Sequence, residues 1–228
     1  MKHLVAAMLG IVLFSTPCIG ADGLELKDQK DKESYSLGYQ FGQSLKHQGL
    51  DVNLEVYTAG IRDALGGNAP AMSREEIENT VMSVQSRVMA ARQKELQAAA
   101  AKNLGDGKTF LAANGKKEGV KILPSGLQYR VLAEGQGKSP KATDEVTVNY
   151  RGALIDGTEF GSSYSQGKPL TLKVNGVIRG WSEALQLMKE GSKWQIYLPP
   201  DLAYGDRGTG RIPPNSTLIF DIELISVK

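Results

Sequence analysis

The chemistry-bearing residues of this chain are mostly apolar and cluster between residues 150 and 220. They are Tyr150, Phe160, the run Val177-Ile178-Arg179-Gly180-Trp181, then Leu202-Ala203-Tyr204-Gly205, Ile212-Pro213-Pro214 and Phe220. Aromatic rings supply large rigid surface, and Tyr and Trp add one polar tip each. Such a set suits a cavity that encloses an apolar ligand and orients it with few hydrogen bonds. Bond-breaking residue types are scarce. The chain has one cysteine, Cys18, and two histidines, His3 and His47. His47 stands between Lys46 and Gln48 and reads as a solvated helix residue. A Ser-His-Asp triad or a His/Cys metal cluster needs partners that are missing here. The expected mode of action is apolar enclosure, with no metal and no cofactor.

Other motifs carry bland readings. Gly137-Lys138-Ser139 resembles the end of a phosphate-binding loop, but Leu132 occupies the place of the required first glycine, and Pro140 and Thr143 lead into a strand. Asp156, Glu159, Asp201 and Asp206 hold carboxylates, yet Asp156 and Asp201 sit in turn-like sequence, which argues against a glycosidase pair. The glycine-rich Gly205–Gly210 reads as a mobile surface loop bordering a binding site.

The elements that must position the cluster divide near residue 115. Residues 22–115 contain one proline, Pro70, and read as helices. The first covers about Asp31 to Gln48, with Tyr35, Tyr39, Leu37, Phe41 and Leu45 at helical spacings, and stops at Gly49. The second runs from about Leu54 to Leu65 and stops at Gly66-Gly67. The third opens on the capping box Ser73-Arg74-Glu75-Glu76, followed by Ile77, Val81, Val84, Val88 and Ala91 along one stripe. Extended to Asn114 it would be about 60 Å long, with Gly105 and Gly107 expected to weaken or bend it. Two arrangements would cover these apolar faces. A partner chain could share helices in 31–65, or a monomeric hairpin could fold back on the second domain. The dimer is the favoured one. Small residues Gly38, Gly42 and Ser44 on the first helix would permit close approach.

Residues 116–228 read as strands at Leu127–Leu132, Val146–Ala153, Leu170–Val174, Lys193–Leu198 and Leu218–Val227, entered through a linker-like Lys116–Gly119. Asp156-Gly157 marks a turn, and a short helix from about Trp181 to Met188 lies between strands. A helix beside an antiparallel sheet makes the fold class α+β. The division expected is therefore 1–21, 22–115 and 116–228.

Targeting and charge complete the reading. Lys2 and His3 precede an apolar run from Leu4 to Phe14, then Pro17 and Gly20-Ala21 before Asp22, the pattern of a secretory signal peptide ending at Ala21. The run is shorter than the roughly 20 residues of a membrane span. Pro17 and Ser15 replace the small residue and the leucine that a lipid-anchor signal wants around Cys18. A net charge of +2 gives no support to a nucleic-acid partner.

Several segments in register resemble the FKBP-type peptidyl-prolyl isomerases. They are Val148-Asn149-Tyr150-Arg151-Gly152, Asp156-Gly157-Thr158-Glu159-Phe160, Val177–Trp181, Leu202–Gly205 and Ile212–Phe220. The helical half, with Tyr35-Ser36-Leu37-Gly38 and Leu123–Tyr129 at the junction, resembles the Mip-like (macrophage infectivity potentiator-like) subclass of exported bacterial dimers. The resemblance implies a twisted antiparallel sheet wrapped around a short helix, behind an all-helical dimerisation domain with a long connecting helix. It implies an isomerase and folding chaperone acting on unfolded, proline-containing polypeptides in the periplasm, outer-membrane associated or secreted, and blocked by the family's macrolide inhibitors. Trp181 would floor the pocket, with Tyr150, Phe160, Tyr204 and Phe220 around it. Leu170, Val177 and Ile212 would add substrate contacts, and the Ile178 N–H and Tyr204 hydroxyl would donate to the peptide. One departure stands out. Gly161 occupies a position where the family commonly has Asp, which leaves a non-catalytic proline-binding holdase as the alternative.

Overall fold

A computed structural model describes residues 24–228, so the expected signal segment 1–21 and Cys18 lie outside the described residues. The described chain forms two compact units, one reaching Val88 and the other running from Met89 to Lys228.

The first unit holds α1 (Gln29–His47), α2 (Leu54–Gly66) and the start of α3 (Arg74–Asn114). Local chemistry sets their ends. Asp28 accepts from the Asp31 N–H at the start of α1, Asn53 accepts from the Val56 N–H at the start of α2, and Gly67 ends α2 at φ 69°. The capping box before α3 forms in full. Ser73 N–H donates to Glu76 Oε2 at 2.9 Å, and Glu76 N–H donates back to Ser73 Oγ at 3.2 Å. The same Ser73 donors hold the Glu76 carboxyl below the usual carboxylate range. Neither α1 nor α2 buries a single residue.

Helix α3 runs unbroken for 41 residues, through both glycines. Gly107 is buried, and a β-carbon there would stand 2.3 Å from Thr217 Oγ1. The missing side chain therefore permits a contact rather than a bend. The alanine run 98–101 just before it supplies the strongest helix propensity available.

The second unit is a seven-stranded antiparallel sheet of β1 (Val120–Ile122), β2 (Gln128–Ala133), β3 (Glu145–Leu154), β4 (Glu159–Ser162), β5 (Leu170–Lys173), β6 (Lys193–Leu198) and β7 (Leu218–Val227). The order is β1-β2-β6-β7-β3-β4, and β5 also pairs with β3. Strand β7 buries Leu218, Phe220, Ile222 and Leu224 in strict alternation. Ile225 then drops out of register against Thr147 and Val148, so the next inward residue is Val227. One extra residue shifts the two-residue period by one face. The strands β1 and β4 were not anticipated: β1 is only three residues long, and a bulge at Phe160 breaks the alternation of β4. Lys116–Gly119 is a tight turn, with Val120 N–H donating to Lys117 O at 3.2 Å.

Helix α4 (Arg179–Leu187) lies on the inner face of the sheet. Trp181, Ala184, Leu185 and Met188 are buried at helical spacing and join Val146, Val148, Ile196, Phe220 and Ile222 in one core. The outer face of β2 and β6 is covered by the end of α3. Phe110 packs on Tyr197 with ring centroids 6.0 Å apart. Gln128 Nε2 donates to Leu111 O at 2.9 Å, and the buried Asn114 Nδ2 donates to Gln128 Oε1 at 3.0 Å.

Candidate active site

Three neighbouring strands, β3, β4 and β7, and helix α4 bring Tyr150, Phe160, Phe220 and Trp181 together. Even-numbered residues of β3 face α4, which puts Tyr150 and Gly152 beside Ile222 and Phe220, their β7 partners. Gly152 is small for a reason: a β-carbon would stand 2.7 Å from both the Phe160 and Phe220 rings. Strand β4 pairs Gly161 with Gly152 and Glu159 with Ala153, so Phe160 is the extra residue of a bulge. Bulges re-aim side chains, and here the Phe160 ring packs edge-on against Phe220 with centroids 5.5 Å apart. Trp181, from the first turn of α4, meets Tyr150 at 5.4 Å and Phe220 at 5.2 Å, both edge-to-face. The rings thus lock one another, as their quadrupoles favour.

These rings enclose a cavity of about 730 Å³. Tyr150, Phe160, Gly161, Trp181, Tyr204 and Phe220 all line it, as do Leu170, Val177, Ile178 and Ile212, so the ten residues that the resemblance places at the pocket meet in one hollow. Arg179, Gly180, Leu202, Ala203, Gly205, Pro213 and Pro214 are not part of its lining. Thr209 and Gly210 of the expected bordering loop line it as well, and so do Leu172, Gly176 and Arg211, which were not anticipated. The two-residue period of β5 from Leu170 would have indicated Leu172.

The polar inventory of the cavity is short. Trp181 Nε1 is buried without a hydrogen-bond partner among the described residues. Ile178 is the residue before α4, and its N–H donates to no acceptor among the described residues. Tyr204 is 38% exposed; burial, and next the neighbouring Tyr150, push its phenol above the ordinary range. Among the described residues, no carboxylate, histidine, lysine or cysteine lines the hollow. Around it, Ser163 Oγ accepts from Tyr150 N–H at 2.9 Å and donates to Asn149 Oδ1 at 3.1 Å, fixing β3 next to Tyr150. Ser162, buried beside Gly161, accepts from the Tyr164 N–H at 3.2 Å and is spent on its own turn.

The fold is an antiparallel sheet packed over one helix, with an aromatic-lined cavity beside that helix. Comparison with known proteins agrees with that geometry. The family model described as FKBP-type peptidyl-prolyl cis-trans isomerase matches residues 136–225, and that of the domain amino terminal to it matches residues 30–131. The chain is 45% identical to the outer membrane protein MIP of Legionella longbeachae over 100% of this chain and 98% of that protein. It is 42% identical to the peptidyl-prolyl cis-trans isomerase Mip of Coxiella burnetii, over 100% of this chain and 99% of that protein. The crystal structure of FkpA from Escherichia coli superposes with a TM-score of 0.71 at 41% identity, over 89% of this chain and 98% of that one. The chain belongs to the FKBP-type peptidyl-prolyl cis-trans isomerases.

Proposed function

We propose that the cavity is where an X–Pro bond is turned, and that the protein uses it to help exported polypeptides fold. The observation that carries this reading is the meeting of Trp181, Tyr204 and the unpartnered Ile178 N–H around one hollow. Rotation about a peptide bond faces a barrier of roughly 18–20 kcal/mol because resonance gives C–N double-bond character. The X–Pro end states differ by only about 0.5–1 kcal/mol. No bond has to break. In the twisted state resonance is lost and charge separation falls, so an apolar enclosure favours that state over the planar ones. Trp181 at the floor, with Tyr150, Phe160 and Phe220 as walls, supplies the enclosure. Leu170, Val177 and Ile212 hold the flanking side chains. The Ile178 N–H and the Tyr204 hydroxyl hold the chain on either side while the bond rotates.

Two further features belong to this reading. Helices α1 and α2 expose Leu37, Tyr39, Phe41, Leu54, Val56 and Leu65, so a second copy covers residues 31–65 and the protein is a homodimer. Two linked cavities then hold one unfolded client at raised effective concentration, which gives chaperone action without new contacts. The amino-terminal pattern sends the protein to the periplasm, where outer-membrane association would place it beside arriving chains. Among the described residues no helix is long and apolar enough to cross a membrane.

Gly161 favours a second reading, a proline-binding holdase whose turnover is weak. Refolding of a proline-limited substrate separates the two. Acceleration that a macrolide inhibitor of the FKBP family abolishes supports the isomerase. Suppressed aggregation without any gain in rate supports the holdase.

A further inference from the structure

We infer that Arg211 makes the cavity prefer X–Pro segments that carry a carboxylate beside the proline. The inference rests on the cavity being the X–Pro site and names the substrate class it favours. Arg211 is the one residue with a full side-chain charge among those lining the hollow. It takes part in none of the ion pairs among the described residues, which join Arg74 to Glu78, Lys102 to Asp106, Arg151 to Glu159 and Lys228 to Glu145.

Its place at the rim is built into the backbone. Thr209 N–H donates to Ile212 O at 2.9 Å, and Ile212 N–H donates to Thr209 O at 2.7 Å, closing a turn with Gly210 and Arg211 at its tip. Gly210 at φ 49° takes the left-handed step that this turn needs. Beneath it the Ile212 side chain is buried and fixes which way the turn leans. The base of the loop is tied down as well. Asn215 N–H donates to Gly205 O at 2.8 Å, and Asn215 Nδ2 reaches Ala100 O of α3 at 3.4 Å. Arg211, itself exposed, is therefore carried on a braced turn at the rim of a hollow with largely apolar walls. Its fork matches a carboxylate in two parallel hydrogen bonds. Among the described residues the lining holds no acid, and Gly161 contributes none.

The test uses the mature full-length protein and tetrapeptides with Glu, Gln, Leu or Lys immediately before proline, then the same residues immediately after it. Exchange is followed by NMR at low and high salt. In one of the two sets kcat/KM should be about three- to fivefold higher for Glu than for Gln at low salt, as expected for a partly screened ion pair. The ratio should fall as salt rises. Arg211→Lys should keep part of the preference, and Arg211→Glu should transfer it to the Lys peptide. A Glu/Gln ratio of one in both sets, or a ratio that Arg211→Glu leaves unchanged, overturns the inference. If the Leu peptide shows no catalysed exchange, the isomerase reading fails on its own. Calorimetric affinities of the same Glu and Gln peptides, for the wild type and Arg211→Glu, then decide the preference by the same ratios.

Discussion

Gly107 and Thr217 meet too closely for a β-carbon between them: one built on Gly107 would stand 2.3 Å from Thr217 Oγ1 and 3.2 Å from Thr217 Cβ. Gly105, two residues earlier on α3, has nothing within 4 Å of the same position. Alanine should therefore act with opposite signs at the two sites. At Gly105 the gain in helix propensity, about 1 kcal/mol, stands alone. At Gly107 the same gain is set against overpacking of about 1–3 kcal/mol, and a net loss is expected. Denaturation followed by tryptophan fluorescence reads this unit, because Trp181 and Trp194 both lie in its core. The loss at Gly107 should shrink in a Thr217→Ala background. Equal effects of the two alanines would show that the helix does not bear on β7.

The pH profile of isomerisation follows from what lines the cavity. Burial and the neighbouring Tyr150 raise the Tyr204 phenol, so its O–H survives to higher pH than a free tyrosine's. Among the described residues, no His, Asp, Glu, Lys or Cys lines the cavity. With tyrosine ordinarily near 10, kcat/KM should stay flat from about pH 6 to 9 and fall only as the phenol ionises above its ordinary value. NMR exchange measured across that range checks it. A limb near neutrality would point to a general acid or base that this enclosure does not contain.

The sequence revealed what depends on local pattern and concealed what depends on packing. The alternation in Leu218–Val227 and the helical spacing of Trp181, Ala184 and Leu185 are readable without coordinates, and so are the capping box and the sequence half in which the rings must meet. The aim of Phe160 is not readable, since it depends on a one-residue mismatch between β3 and β4. Arg211 looked like one more residue of a glycine-rich loop, because only the Thr209–Ile212 bridge carries it to the cavity rim. The end of α3 shows no apolar stripe for the same kind of reason. It docks through Asn103, Gly107, Phe110 and Asn114, and three of these carry no hydrophobic side chain. Asn103 Nδ2, for example, donates to Pro214 O at 2.9 Å.

Gly161→Asp tests whether this position limits turnover. A β-carbon there would lie 3.4 Å from Tyr150 Oη, an ordinary contact, and the backbone is not left-handed. The fold should accept the change within about 0.5 kcal/mol. A carboxylate able to accept from a cavity hydroxyl is worth about 1.5 kcal/mol, or roughly tenfold in rate. Turnover of a Leu-Pro peptide should rise by up to that factor. The same carboxylate would offset Arg211, so the Glu/Gln ratio should fall toward one in this variant. A wild-type rate in Gly161→Asp would discard the idea that the glycine is limiting.

Helix α1 is apolar on opposite sides. Tyr35 and Tyr39 stack on one side with centroids 6.2 Å apart, whereas Leu37 and Phe41 lie about 200° further round at helical spacing. All four side chains are largely exposed, Phe41 at 61%. Two opposite apolar sides both need cover, and a partner that wraps the helix meets that need better than one groove does. Burying one phenylalanine is worth about 1.5–3 kcal/mol, and a charge in its place adds a desolvation cost. Phe41→Glu should therefore weaken dimerisation at least about a hundredfold, as read by sedimentation equilibrium. Tetrapeptide turnover should hold while refolding of a protein substrate slows, because in the proposed dimer only the second gains from two linked cavities. A wild-type protein that sediments as a monomer at tens of micromolar would leave α1 needing some other cover, and the chaperone reading would lose its two-handed grip.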